Sequence, residues 1–175
     1  MMLNLSEYSL LLGADSACAA LAIRTHMRDE GLKWQLPLAF AVSDGLGSFL
    51  GPIARAGQSF GPNVAQTITL TAYVVAIGTF LIIPKWPPGK HTAWLRRMIV
   101  LIGIPVLLST DNFFAAKAFP PGGTLGIVAA MTAISSYVMS FLGLAVGNAM
   151  RMHVGRFGWR ALASVVLFAI AWVIG

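Results

Sequence analysis

Apolar residues run along this chain in long blocks broken by short polar or proline-rich connections. Six blocks can be drawn, at about 5–24, 35–55, 65–84, 97–119, 123–149 and 158–174. Each is near the roughly 20 residues that a helix needs to cross a bilayer core, the last being short. Breakers divide them: GPNVAQ at 61–66, KWPPGKH at 85–91 and PPGG at 120–123. An open sheet edge cannot face lipid, and no block alternates as a barrel strand does. The pattern predicts an all-α integral membrane protein with six transmembrane helices. The third and sixth blocks are plainly hydrophobic, whereas the others carry polar residues and glycines.

Composition agrees. Hydrophobic residues make up 57% of the chain and charged residues 10%, against about 25% charged in a soluble domain. The net charge of +6 comes with no basic stripe interleaved with aromatics, so no nucleic-acid partner is expected. The basic residues read instead as a topology signal. Arg24, Arg28 and Lys33 fall in the first connection. Lys85, Lys90, Arg96 and Arg97 fall in the third, and Arg151, Arg156 and Arg160 in the fifth. Only Arg55 and Lys117 lie on the other side. This bias predicts a multi-pass protein of a bacterial-type inner (plasma) membrane, with both termini on the non-cytoplasmic side. Trp34, Trp86, Trp94 and Trp159 flank the spans as interfacial anchors do. A single cysteine, Cys18, excludes a disulfide within the chain. The opening MMLNLSEYSLLLG lacks a basic n-region and reads as a retained span rather than a secretory signal.

Three of only six acidic residues fall inside the apolar blocks: Asp15, Asp44 and Asp111. An aspartate at the bilayer centre costs about 3 kcal/mol on the gentler insertion scales, and such residues face an interior or a wet pathway. Two of them belong to a repeat. DSACAALAI after Gly-Ala at 13–14 is matched by DNFFAAKAF from Asp111, sharing Asp-x-x-x-Ala-Ala-x-Ala. GSFLG at 47–51 is echoed by MSFLG at 139–143. Two halves of three spans each, 1–84 and 85–175, would enter the membrane from opposite faces. That is the inverted repeat of many secondary transporters, the two halves together forming one transmembrane domain. Asp15, Asp44 and Asp111 are expected mid-helix, converging near the midplane.

Clustered carboxylates suit a hard divalent cation such as manganese, magnesium or calcium as substrate. Ser16, Ser43, Thr110 and Asn112 can add oxygens, and Pro105 can kink the fourth span ahead of Asp111. His26, His91 and His153 lie in the basic connections and do not pattern as zinc ligands. No cofactor is expected. Each acid also has a structural reading, as a neutral group hydrogen-bonded to a neighbouring Ser or Asn. Gly47, Gly51, Gly143 and Gly147 read as helix-packing positions, and Asn148 as a cap or packing group. Lys117 reads as a residue snorkelling to the headgroups. Alternatively it is a built-in cation that neutralises a carboxylate or holds an anionic substrate.

These residues resemble the small six-span manganese efflux pumps, a branch of the lysine-exporter superfamily. The family's early Asp followed by small residues is matched by GADSACAALAI with Asp15. Its second-span acid before a glycine ending is matched by SDGLGSFLG with Asp44, as Asp for Glu. Its fourth-span Ser/Thr-x-x-Asp pattern is matched loosely by STDNFFAA with Asp111. Its fifth-span Ser-x-Leu-Gly-x-x-x-Gly pattern is matched by SFLGLAVG at 140–147. The resemblance implies export of a divalent cation, manganese in that family, against protons, with Asp15, Asp44 and Asp111 as ligands.

Two other function classes stay open at this level. One is export of a small amino acid or other organic solute, with Lys117 and Asn112 on its carboxylate. The other is a non-transporting membrane subunit, a homo-oligomer or part of a larger complex, docked through Phe60, Phe80 and an aromatic lipid face. An enzyme is not expected, because HExxH and GxSxG are both lacking; no phosphate loop is present for ATP-driven transport.

Overall fold

The computed structural model describes residues 13–26, 31–55, 62–82, 89–115 and 125–150, and among these the chain is all helical. The sixth expected span, Lys117, Phe60 and the Phe80 side chain lie outside the described residues. The helices are α1 (Ala14–His26), α2 (Leu32–Arg55), α3 (Pro62–Ile82), α4 (Lys90–Met98), α5 (Ile104–Leu108), α6 (Thr110–Ala115) and α7 (Leu125–Met150). A π-helical turn, Ile99–Gly103, joins α4 to α5. Three rods are long and apolar enough to cross a membrane, Leu32–Ala54, Lys90–Phe114 and Leu125–Ala149, with a shorter apolar helix at Val64–Thr79.

The polarity of α2 and α7 is turned inside out. On α2 the buried positions Leu36, Phe40, Asp44 and Ser48 recur every fourth residue, and Asp44 is 0% exposed. The opposite face carries Leu38, Val42, Leu46, Phe49, Leu50 and Ile53, all exposed, Leu38 at 58%. On α7 the buried line is Val128, Thr132, Ser136, Ser140 and Leu144, while Ile127, Ile134, Val138 and Leu142 face outward. Water would reward the reverse arrangement. Hydrocarbon rewards this one, since apolar side chains lose nothing against lipid and polar ones need partners inside.

Packing centres on α7, which lies against both α1 and α2, while α2 also packs on α5 and α6, and α3 on α5 and α6. Close approach depends on glycine. A Cβ on Gly143 would collide with the Ala17 carbonyl, and one on Gly147 would sit 3.0 Å from the Leu21 carbonyl. Their indices rise together, so α1 and α7 run parallel. Trp34 meets Phe141, whereas Gly45 meets Ala133, so α2 and α7 run antiparallel. A Cβ on Gly47 would lie 2.9 Å from the Ser109 carbonyl, which brings α2 onto the junction before α6. Gly51 is buried as well. Small residues at these crossings let backbones meet where lipid supplies no hydrophobic drive.

The fourth rod differs from its expected bounds. Its helix starts at Lys90 rather than near 97, with Gly89 extended and accepting from the Thr92 hydroxyl at 2.9 Å. The basic residues Lys90, Arg96 and Arg97 therefore ride on a helix, not in a loop. The rod accommodates Pro105 by a specific route. Its ring has no N–H and would strike the Leu101 carbonyl in a regular helix, and the wider π turn immediately precedes it. A second break follows at Ser109.

Candidate functional site: a buried carboxylate cluster

Asp15 and Asp111 sit in the first turns of α1 and α6, not mid-helix as the sequence suggested. The two starts are built alike. Asp15 accepts from the Ser16 backbone N–H at 2.6 Å through Oδ1, and Asp111 accepts from the Asn112 N–H at 2.6 Å in the same way. Behind them the Ala17 N–H bonds to the Gly13 carbonyl at 3.1 Å, and the Phe113 N–H to the Ser109 carbonyl at 3.0 Å. A helix start leaves backbone N–H groups without intrahelical acceptors, and these solvate a carboxylate where water cannot.

The acids then meet. Asp15, Asp44 and Asp111 are all buried, at 1%, 0% and 2% exposure, and lie within electrostatic reach of one another. The Tyr73 hydroxyl on α3 lies 3.1 Å from Asp111 Oδ2 and 3.3 Å from Asp15 Oδ2. The Ser16 hydroxyl donates to Asp44 Oδ2 at 2.9 Å and lies 3.4 Å from Asp15 Oδ1. Four helices, α1, α2, α3 and α6, thus contribute to one polar network.

Part of the network is unsatisfied. Asp44 Oδ1, both side-chain polar atoms of Asn112, and the Ser136 and Ser140 hydroxyls are buried without a well-formed hydrogen bond. Ser136 and Asn112 lie beside the Asp44 carboxyl, and Ser140 lies one turn further along the same face of α7. A buried polar group without a bond costs about 1–3 kcal/mol. Several around one point are the mark of a place built for a polar ligand or ordered water.

The cluster is not a closed ligand cage. Among the described residues, no three His, Cys, Asp or Glu side chains gather closely enough to hold a metal ion directly. The Tyr73 phenol contacts both Asp15 and Asp111. Of the other expected residues, Ser16 and Asn112 join the cluster. Thr110 does not, since its hydroxyl donates to the Leu107 carbonyl at 2.8 Å and is only half-buried. Gly47, Gly143 and Gly147 pack helices. Asn148 accepts from the Arg24 guanidinium at 3.2 Å, away from the acids.

Sequence reasoning missed Tyr73, Ser136 and Ser140. The third block reads as a plain hydrophobic span, and the one signal in it was a lone tyrosine mid-block, whose hydroxyl needs a partner when buried. On α7, Thr132, Ser136 and Ser140 recur every four residues, a polar line hidden in an apolar block. Comparison with protein-family models, with curated proteins and with solved structures finds no match.

Proposed function

We propose that this chain is a secondary transporter that exports a divalent cation through the Asp15–Asp44–Asp111 cluster, in exchange for protons. Manganese is the substrate that the resemblance to the manganese efflux pumps implies. The observation that carries the reading is the network itself: three buried acids from three helices, linked by hydroxyls and bordered by oxygens without well-formed hydrogen bonds. Such oxygen-rich donors suit hard cations, and protons compete for the same atoms.

The chemistry of the bridge supports exchange. A phenol has one hydrogen and donates to one carboxylate at a time. Its second close contact becomes a hydrogen bond only when the other carboxyl carries a proton. Asp15 and Asp111 are therefore set to share a proton across Tyr73. A cation arriving between them takes the place of that proton and turns the phenol aside, so the two cargoes exclude each other.

Two inverted three-helix repeats would give alternating access around this point. The equal construction of the Asp15 and Asp111 starts supports that architecture. So does the packing order of the helices: α2 lies on the junction before α6, as α7 lies on α1. Export of an amino acid would draw on Lys117, and no described residue supplies a cation to the cluster in its place.

The test is manganese flux into inside-out vesicles under a proton gradient. Asp15→Asn and Asp111→Asn are each expected to lower flux about tenfold or more, the scale on which losing ligand support acts. Unchanged flux in both variants overturns the mechanism.

A further inference from the structure

A second polar feature lies away from the acids. The end of α1, the start of α2 and the end of α7 enclose a cavity of about 210 Å³. One wall is cationic, with Arg24, 5% exposed, and Lys33. Asn148 holds the Arg24 guanidinium by a 3.2 Å hydrogen bond. The other wall is apolar: Trp34, Phe141 and Leu144, with the Trp34 and Phe141 rings 5.9 Å apart.

We propose that this cavity binds the phosphate headgroup of an anionic phospholipid, with an acyl chain lying along the outer face of α2. The two walls match the two ends of such a molecule. An arginine fork and a lysine ammonium suit a phosphate. From Trp34 the apolar track continues to Leu38 and Val42, four residues apart, 58% and 52% exposed. Trp34 marks the interfacial level, where indole rings settle. Arg24 lies near the end of α1 and Lys33 near the start of α2, on either side of the first basic connection, and anionic headgroups favour basic pockets between helices. The inference rests on the chain spanning a membrane but not on what it transports. The bound lipid would clamp α2 to α7 at the end of their crossing, since Trp34 and Phe141 come one from each helix.

Native mass spectrometry of the full chain in neutral detergent tests this, with phosphatidylglycerol, phosphatidylcholine and sodium phosphate as separate probes. Phosphatidylglycerol is expected to be retained over phosphatidylcholine. Lys33→Gln, at an exposed position, is expected to weaken that retention about fivefold, the factor for one lysine near an anionic surface. Lys90→Gln, also exposed but on α4, serves as the control and is expected to change nothing. Equal retention of the two lipids, or retention indifferent to Lys33→Gln, overturns the proposal. Displacement of the lipid by millimolar sodium phosphate also overturns it, assigning the cavity to a free anion. Manganese flux measured on Lys33→Gln separates the two readings, since this residue touches none of the acids.

Discussion

The two acid-bearing helix starts differ less than the residues they face. At Asp15–Ser16 and Asp111–Asn112 the carboxyl accepts from the next backbone N–H at the same 2.6 Å. When GSFLG at 47–51 is set against MSFLG at 139–143, Asp44 on α2 corresponds to Ser136 on α7. Ser136 lies beside the Asp44 carboxyl. The lesson is that the two helix starts share their backbone geometry while the polar groups around them differ, so the acids are separable by substitution.

If the shared geometry matters most, the largest effect is symmetrical. Asp15→Asn and Asp111→Asn should lower manganese flux by similar factors in the same vesicle assay, and a large loss in only one would break the comparison. Next in size is the packing. Gly143→Ala drives a methyl into the Ala17 carbonyl and should destabilise the chain by about 1–3 kcal/mol, the usual cost of overpacking. Thermal unfolding in detergent reads this. Gly147→Ala, with its nearest approach at 3.0 Å, should cost less.

Smaller still is the exchange of charge between the halves. Asp44→Ser combined with Ser136→Asp should recover part of the flux lost in Asp44→Ser alone, because the two positions face one another. No recovery would show that the acid must come from α2. The smallest effect is expected where no neighbour is near. Gly78 and Gly126 have nothing within 4 Å of an added Cβ. Alanine there should be neutral or stabilise by up to about 1 kcal/mol through helix propensity.

Much of the fold was legible because hydrocarbon imposes a simple rule on sequence. Long apolar blocks became long apolar helices, and Leu32–Arg55 lies within three residues of its expected bounds. Asp15, Asp44, Ser16, Asp111 and Asn112 were legible for the same reason, as polar atoms in blocks where they are costly. Tyr73 was not, since a tyrosine is common in apolar helices and its role depends on which helix it meets. Ser136 and Ser140 were hidden because serine is small enough to pack anywhere, and only the crossing of α2 with α7 brings Ser136 beside Asp44. The placement of Asp111 was misread because the helix breaks again at Ser109, just before it, and nothing in the block STDNFFAA marks that break. Proline marks a bend but not the number of turns it rearranges. Thr110 was overvalued because a hydroxyl beside an acid can bond equally well to its own helix.

The central claim is that Asp15, Asp44 and Asp111 form one cation site. The direct measurement is electron paramagnetic resonance of manganese added to the purified full chain. Saturable binding of one ion per chain is predicted, lost in Asp15→Asn and in Asp111→Asn and weakened in Asp44→Asn. Binding that persists unchanged in all three variants would contradict it.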